Sequence, residues 1–182
     1  GIESSCDDTS AAVLENGSRV LSNVISDQNT THSKYGGVVP ELAGRCHIES
    51  IHHVINNAIN QSKISLKQID LIAVTVGPGL VSSLLVGLNT AKALAYALQK
   101  PLVGVNHLEG HLLAIFLEET VEFPFIALTV SGGHTDIYRV DGFGKYKILG
   151  RTRDDAAGES FDKVAKMLKL GFPGGPLIEE KA

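Results

Sequence analysis

The sequence predicts an α/β fold in which a β-β-β-α opening occurs twice, and three features carry that prediction. Aliphatic runs of strand length alternate with longer segments of helical period. Turn residues, above all Asn16-Gly17 and Asp141-Gly142-Phe143-Gly144, fall between neighbouring strand segments. The order strand, polar or glycine-rich turn, strand, hairpin, strand, helix is read first at 2–59 and again at 125–170.

Taken in order, residues 2–5 form a strand that runs into the polar cluster Cys6-Asp7-Asp8-Thr9, and 11–14 resume extended character. Asn16-Gly17 tolerates the positive φ angles of a hairpin turn, after which 20–25 supply the third strand. Residues 29–39 read as a long loop, ended by Pro40-Glu41, a pair suited to the first turn of a helix. In that helix Leu42, Cys46, Ile48, Ile51, Val54, Ile55, Ala58 and Ile59 keep a helical spacing and are expected inward, with His47, His52 and His53 on the surface. The aliphatic run 69–76 is expected to be a strand buried on both faces. After Gly77-Pro78-Gly79, residues 80–98 have the length of a buried helix whose Gly87, Ala91 and Ala95 allow close approach to a sheet. Residues 102–105 give the next strand and lead into a helix that carries His107 and His111. The repeat then begins with strands at 125–130, 136–140 and 146–150, followed by a helix over 156–170 with Phe161, Val164, Ala165 and Leu168 inward. The expected organisation is a complete first lobe, βββαβαβα, over 1–121 and the βββα start of a second lobe over 122–182. Because the chain starts without Met inside a strand and stops at the start of a helix, it reads as part of something longer.

The bulk numbers narrow the function classes. With 43% hydrophobic residues in 182, there is ample material for a core. A net charge of −4 argues against a generally basic nucleic-acid-binding surface, leaving a local patch or a partner subunit as routes to RNA. The two cysteines, Cys6 and Cys46, make neither a spaced metal cluster nor a disulfide framework, which fits a reducing compartment. No membrane span and no signal peptide are expected, since the apolar runs are short or interrupted by glycine and no basic segment precedes one.

His107 and His111 stand at i and i+4, a spacing that lets two imidazoles on one helical face reach a single divalent ion. Glu109 lies two residues after His107, whereas the H-E-x-x-H pattern of zinc peptidases needs its glutamate adjoining the first histidine; a peptidase would lack its base here. Two hydrogen-bonded histidines on a helix surface would give the same spacing, and two ligands leave a coordination sphere incomplete. In the repeat, Ser131-Gly132-Gly133-His134 occupies the position of Cys6-Asp7-Asp8-Thr9; glycines there let backbone N–H groups approach phosphate oxygens, so two such hairpins could hold a nucleotide. A plain β-turn is the alternative. Asp154 and Asp155 suit a helix N-terminus.

Ordered motifs along the chain resemble one family. They are G-I-E-S-S-C-D-D-T at 1–9, Y-G-G-V-V-P-E-L-A at 35–43, V-G-P-G-L-V at 76–81, N-H-L-E-G-H at 106–111, V-S-G-G-H-T at 130–135, D-D-A-A-G-E-S-F-D-K at 154–163 and F-P-G-G-P at 172–176. Together they resemble the TsaD/Gcp/OSGEP family of tRNA N6-adenosine threonylcarbamoyltransferases, within the actin-like, sugar-kinase and heat-shock ATPase (ribonuclease H-like) fold. The resemblance implies that His107 and His111 bind iron or zinc. It also implies that Thr129, Val130, Ser131, Gly132 and Gly133 cradle the substrate threonylcarbamoyl-AMP, with Asp162 and Gly175 at its nucleotide portion. It further implies tRNA as acceptor and, in a bacterial setting, a paralogous scaffold subunit and a small ATPase as partners. The setting would be cytoplasmic, or alternatively the mitochondrial matrix. The family's third metal ligand, an Asp, belongs to a C-terminal half that this sequence does not contain, so the chain alone would be under-ligated and inactive. At Thr129 the family often has an apolar residue, and at Gly44 often Ser. Competing functions are a metallopeptidase, an ATP phosphotransferase of the same fold, and an inert scaffold subunit.

Overall fold

A computed structural model describes residues 1–182, and the chain divides into two compact units: Gly1–Gln28 with Val39–Gly110, and Asn29–Val38 with His111–Ala182. The first holds β1 (Ile2–Glu3), β2 (Thr9–Glu15) and β3 (Arg19–Ser26). After α1 (Asn29–His32), which belongs to the second unit, come α2 (Pro40–Ser62), β4 (Ile72–Gly77), α3 (Val81–Leu98) and β5 (Leu102–Asn106). The five strands form one sheet in the order β3-β2-β1-β4-β5. β2 runs antiparallel to its neighbours, while β1, β4 and β5 are mutually parallel, with Ile2 opposite Val74 and Val74 opposite Gly104. Parallel neighbours need a crossover, and α3 supplies the one between β4 and β5.

The core of this unit joins Ile2, Ile72 and Val74 of the sheet to Ile51 of α2 and to Ala91 and Ala95 of α3. By length and composition α3 could cross a membrane. Its Ser83, Gly87, Ala91 and Ala95 stripe is buried and its small residues let it lie close to the sheet, but Val81, Leu85 and Tyr96 are exposed, so the buried helix expected here is covered on one face only. α2 also approaches α3 closely, since a Cβ at Gly44 would lie 2.9 Å from Ser82 Cβ. That contact accounts for glycine at this position.

Three expectations about burial are corrected here. Burial of β4 is not continuous: Ile72, Val74 and Thr75 are buried, while Leu71, just before the strand, and Val76 are about half exposed, beyond the apolar cluster that Ile72 and Val74 form with α2 and α3. On α2 the inward stripe is Ala43, Gly44, His47, Ile51, Val54 and Ala58, and Ile48 is exposed. His47, expected on the surface, has no solvent exposure, and its ring bonds Thr9 Oγ1 at 2.7 Å and the Cys6 carbonyl oxygen at 2.9 Å. A polar partner on the neighbouring hairpin rotates the buried face of the helix toward the histidine, which hydropathy spacing cannot register. The hairpin itself keeps the expected positive φ at Asn16 and Gly17, and takes Ser18 into the turn as well.

In the second unit, 29–39 is not wholly loop: α1 and a 3-10 turn at Ser33–Tyr35 occupy it, and His32 is fully buried. α4 (His107–Leu113) starts in the first unit and ends in the second. Then β6 (Phe125–Val130), β7 (Thr135–Gly142) and β8 (Lys145–Arg151) form an antiparallel meander, followed by α5 (Ala157–Met167) and α6 (Gly174–Glu179). Leu112, Tyr138 and Val140 form its core, flanked by Phe123, Phe125 and Ala127. The expected inward face of α5 is corrected as well. Ala165 is buried, whereas Phe161, Val164 and Leu168 are exposed, because α5 packs on α6 through Ala165 and Gly174 and its wider apolar stripe stays outside that contact.

Two measurements test this packing. His47→Ala should lower unfolding stability by about 2–4 kcal/mol in a urea titration, the cost of a buried cavity plus stranded partners. Burial, then the hydrogen bond to Asp136 and its charge, push the Tyr138 phenol from its ordinary 10.0 up to about 12. The folded value exceeds the unfolded one, so the neutral phenol stabilises the fold below pH 10 and that contribution is lost as pH rises from 10 toward about 12. Melting temperatures across that interval should fall less steeply in Tyr138→Phe than in the unaltered chain.

Candidate functional site

The carboxyl ends of β1, β4 and β5 share one edge of the first sheet, the edge where α/β folds gather ligand sites. β1 is followed by Ser4-Ser5, and both serines are tied to α3 or its N-cap: Ser4 Oγ donates to the Ser83 carbonyl at 2.9 Å and accepts from Gly87 N–H at 3.1 Å, while Leu80 N–H donates to the Ser5 carbonyl at 2.7 Å. The turn at 77–79 passes so near that a Cβ at Gly79 would lie 2.5 Å from the Ser5 carbonyl oxygen. Only glycine fits there.

Glu3 points across this edge. Its carboxylate accepts from Thr75 Oγ1 at 2.5 Å and from Ser5 N–H, and lies 3.3 Å from His107 Nδ1. Burial alone would raise the Glu3 carboxyl, but the donors at His107, Ser5 and Thr75 prevail and hold it down at about 2. The neighbouring Cys6 moves the other way: partial burial and the charges of Asp7, Asp8 and Glu3 push its thiol up to about 12, so it is no thiolate at neutral pH.

His107 opens α4, whose first turn is capped by Asn106 Oδ1 accepting from Leu108 N–H at 2.9 Å and Glu109 N–H at 3.2 Å. His107 and His111 are thus one helical turn apart in α4, as their spacing predicts. His107 has its Nδ1 engaged by Glu3 and by Ser5 Oγ at 3.2 Å, which suits a ring that offers its other nitrogen to a cation. The donor set, two imidazoles at i and i+4, fits iron or zinc. No group of three or more His, Cys, Asp or Glu side chains is gathered to complete a coordination sphere.

In the second unit, an open groove of about 380 Å³ brings His111 together with Thr129, and Leu112, Ile115, Phe125 and Ala127 line the rest. Thr129 is 8% exposed and Val130 56%, because successive residues of β6 face opposite ways. Beyond them Ser131 N–H donates to the His134 carbonyl at 2.8 Å and His134 N–H to Ser131 Oγ at 3.0 Å, closing a tight hairpin. Gly132 and Gly133 have neither a positive φ nor any atom within 4 Å of where a Cβ would stand, so nothing in the chain's own packing requires glycine there.

Behind the hairpin stands α5. Gly158 N–H donates to the Ser131 carbonyl at 3.1 Å, Ala157 N–H to Thr135 Oγ1 at 2.9 Å, and a Cβ at Gly158 would lie 2.8 Å from Gly132 Cα. Asp162 Oδ1 accepts from Gly174 N–H at 2.7 Å, which joins Asp162 to the turn carrying Gly175. Asp154 and Asp155, expected to cap α5, do not: Ala156 is the capping position, with no side-chain bond, and Asp155 instead meets Lys163 at 2.5 Å. Sequence reasoning missed Gly158 as a buttress, Ser5 as a partner of His107 and His47 as an anchor. Gly158, inside D-D-A-A-G-E-S-F-D-K, and Ser5, inside G-I-E-S-S-C-D-D-T, each lay in a quoted motif, whereas His47 carried no such signal.

Comparison with known proteins follows the same lines. The profile of the family described as TsaD, tRNA N6-adenosine threonylcarbamoyltransferase, matches residues 19–182. The tRNA N6-adenosine threonylcarbamoyltransferase of Thermodesulfovibrio yellowstonii is 64% identical over 183 aligned residues, covering 100% of this chain and 55% of the relative. That of Clostridioides difficile is 59% identical over 182, covering 100% and 54%. The chain therefore spans about half the length of the curated relatives it matches. Among solved structures, YeaZ from Pseudomonas aeruginosa superposes with a TM-score of 0.55 at 19% identity, over 87% of this chain and 66% of YeaZ, a likeness of fold. That likeness agrees with the actin-like α/β architecture expected from the motifs. By its sequence profile, the chain belongs to the TsaD family of tRNA N6-adenosine threonylcarbamoyltransferases.

Proposed function

We propose that this chain serves the transfer of a threonylcarbamoyl group from threonylcarbamoyl-AMP to the exocyclic amine of the adenosine next to the anticodon in tRNAs reading ANN codons. The family match over 19–182 carries the proposal, and the geometry supplies parts that suit it. In the reaction the adenosine N6 bonds to the carbamoyl carbon, the bond from that carbon to the phosphate oxygen breaks, AMP departs and N6 loses a proton. AMP is a good leaving group, so no protein nucleophile is needed, in keeping with a Cys6 that stays a thiol.

The hairpin Ser131-Gly132-Gly133, with open space over both glycines, is suited to approach a phosphate with its backbone. Thr129 and Val130 would extend the cradle along β6, and Asp162 and Gly175, linked through Gly174, suit contact with a ribose or base. His107 and His111 would hold a divalent ion, iron or zinc. When bound, that ion supplies Lewis acidity toward the threonylcarbamoyl carbonyl. tRNA is the proposed acceptor, and a paralogous scaffold and a small ATPase are proposed partners. The cytoplasm is the proposed setting. A peptidase has no support, since Glu109 keeps the wrong spacing from His107.

Two experiments test the proposal. In the full-length protein, His107→Ala and His111→Ala should each lower threonylcarbamoyl transfer to tRNA by about 100-fold or more; undiminished turnover in both would refute it. Gly158→Ala should raise the KM for threonylcarbamoyl-AMP by about tenfold, because the added methyl displaces the hairpin, while leaving metal content unchanged.

A further inference from the structure

We propose that Glu3 and Ser5 are positioning residues for His107, fixing its tautomer and orientation at the start of α4 with the proton on Nδ1 and the lone pair on Nε2. His107 Nδ1 lies 3.3 Å from Glu3 Oε2 and 3.2 Å from Ser5 Oγ, so both oxygens compete for one nitrogen of the ring. The Glu3 carboxylate already receives the Thr75 hydroxyl at 2.5 Å and the Ser5 backbone N–H. A carboxylate surrounded by donors acts only as acceptor, so Nδ1 must be the donor and Nε2 the acceptor nitrogen.

This arrangement is built into the fold rather than being a chance surface contact. The parallel pairing of Ile2 with Val74 sets Glu3 beside Thr75 one residue further on. Ser5 is held from behind by Leu80 N–H at 2.7 Å and by the close passage of Gly79. His107 is placed by the Asn106 cap. One short segment, Glu3–Ser5, itself held by Thr75 and by Leu80, therefore meets the imidazole at the start of α4. In its consequence the inference rests on the metal reading above: a histidine whose far nitrogen donates to a carboxylate is a more basic and better oriented ligand, and loss of such a partner weakens metal affinity by roughly 10- to 100-fold.

The test uses the full chain, first without metal and then with zinc alone. Long-range nitrogen–proton correlation NMR at a pH where imidazoles are neutral should show His107 as the Nδ1–H tautomer. Glu3→Ala should move it toward the Nε2–H form, with Ser5→Ala giving a smaller shift and Glu3→Gln, which retains a carbonyl acceptor, restoring part of the original population. Zinc affinity, measured by competition with a chromophoric chelator, should fall by about 10- to 100-fold in Glu3→Ala. A His107 that is Nε2–H in the unaltered chain, or a tautomer indifferent to Glu3→Ala in a protein with unchanged circular dichroism, overturns the proposal. If Glu3→Ala does not fold, Glu3→Gln and Ser5→Ala decide by the same readouts. Zinc affinity indifferent to His107→Ala would overturn the metal reading alone, because the tautomer is read without metal.

Discussion

The parallel register of β1, β4 and β5 is the constraint on which the first unit depends. Pairing Ile2 with Val74, and Val74 with Gly104, brings the ends of three strands to one edge and delivers Glu3, Thr75 and the start of α4 there together. The register holds because the helices can come close enough to cover it. Gly87 accommodates Ser4, Gly79 accommodates Ser5, and a Cβ at Gly104 would lie 2.9 Å from Val76 Cγ1. A side chain at Gly79 or Gly87 would force α3 away from the end of β1, and one at Gly104 would crowd Val76 on the neighbouring strand.

Polar bonds then do what apolar packing cannot. Buried serines, threonines and His47 fix the backbone of the β1–β2 turn through Ser83, Thr9 and the Cys6 carbonyl, which accepts from both Ser83 Oγ at 3.0 Å and the His47 ring. Every buried side-chain polar atom in the chain has a partner. A network satisfied to that degree specifies one arrangement, because any alternative strands a donor or acceptor in the interior. The second unit uses the same device on a smaller scale, tying its glycine hairpin to α5 through Gly158 and Thr135.

Apart from α1 and α6, the order of the main elements, both hairpins, the two sheets' strand segments and the spacing of His107 and His111 were legible in the sequence, because they rest on local periodicity and turn chemistry. The burial pattern of α2 and α5 was less so. Ile48 and Phe161 look inward by hydropathy, yet each is exposed, because the inward direction of a helix depends on which neighbour it meets. Likewise Asp154 and Asp155 have the composition of a helix start, but the chain turns into α5 at Ala156 with those carboxylates directed elsewhere.

The sequence by itself determined the family, the class of fold and the residues that could bear chemistry, since motifs and turn signals are properties of neighbouring residues. Only the tertiary structure decided what those residues touch. That Glu3 meets a histidine 104 positions away, that His47 is buried and that Gly158 supports Gly132 are consequences of strand register and helix approach. Such contacts join segments far apart in the chain, and a pattern read along one dimension holds no record of them.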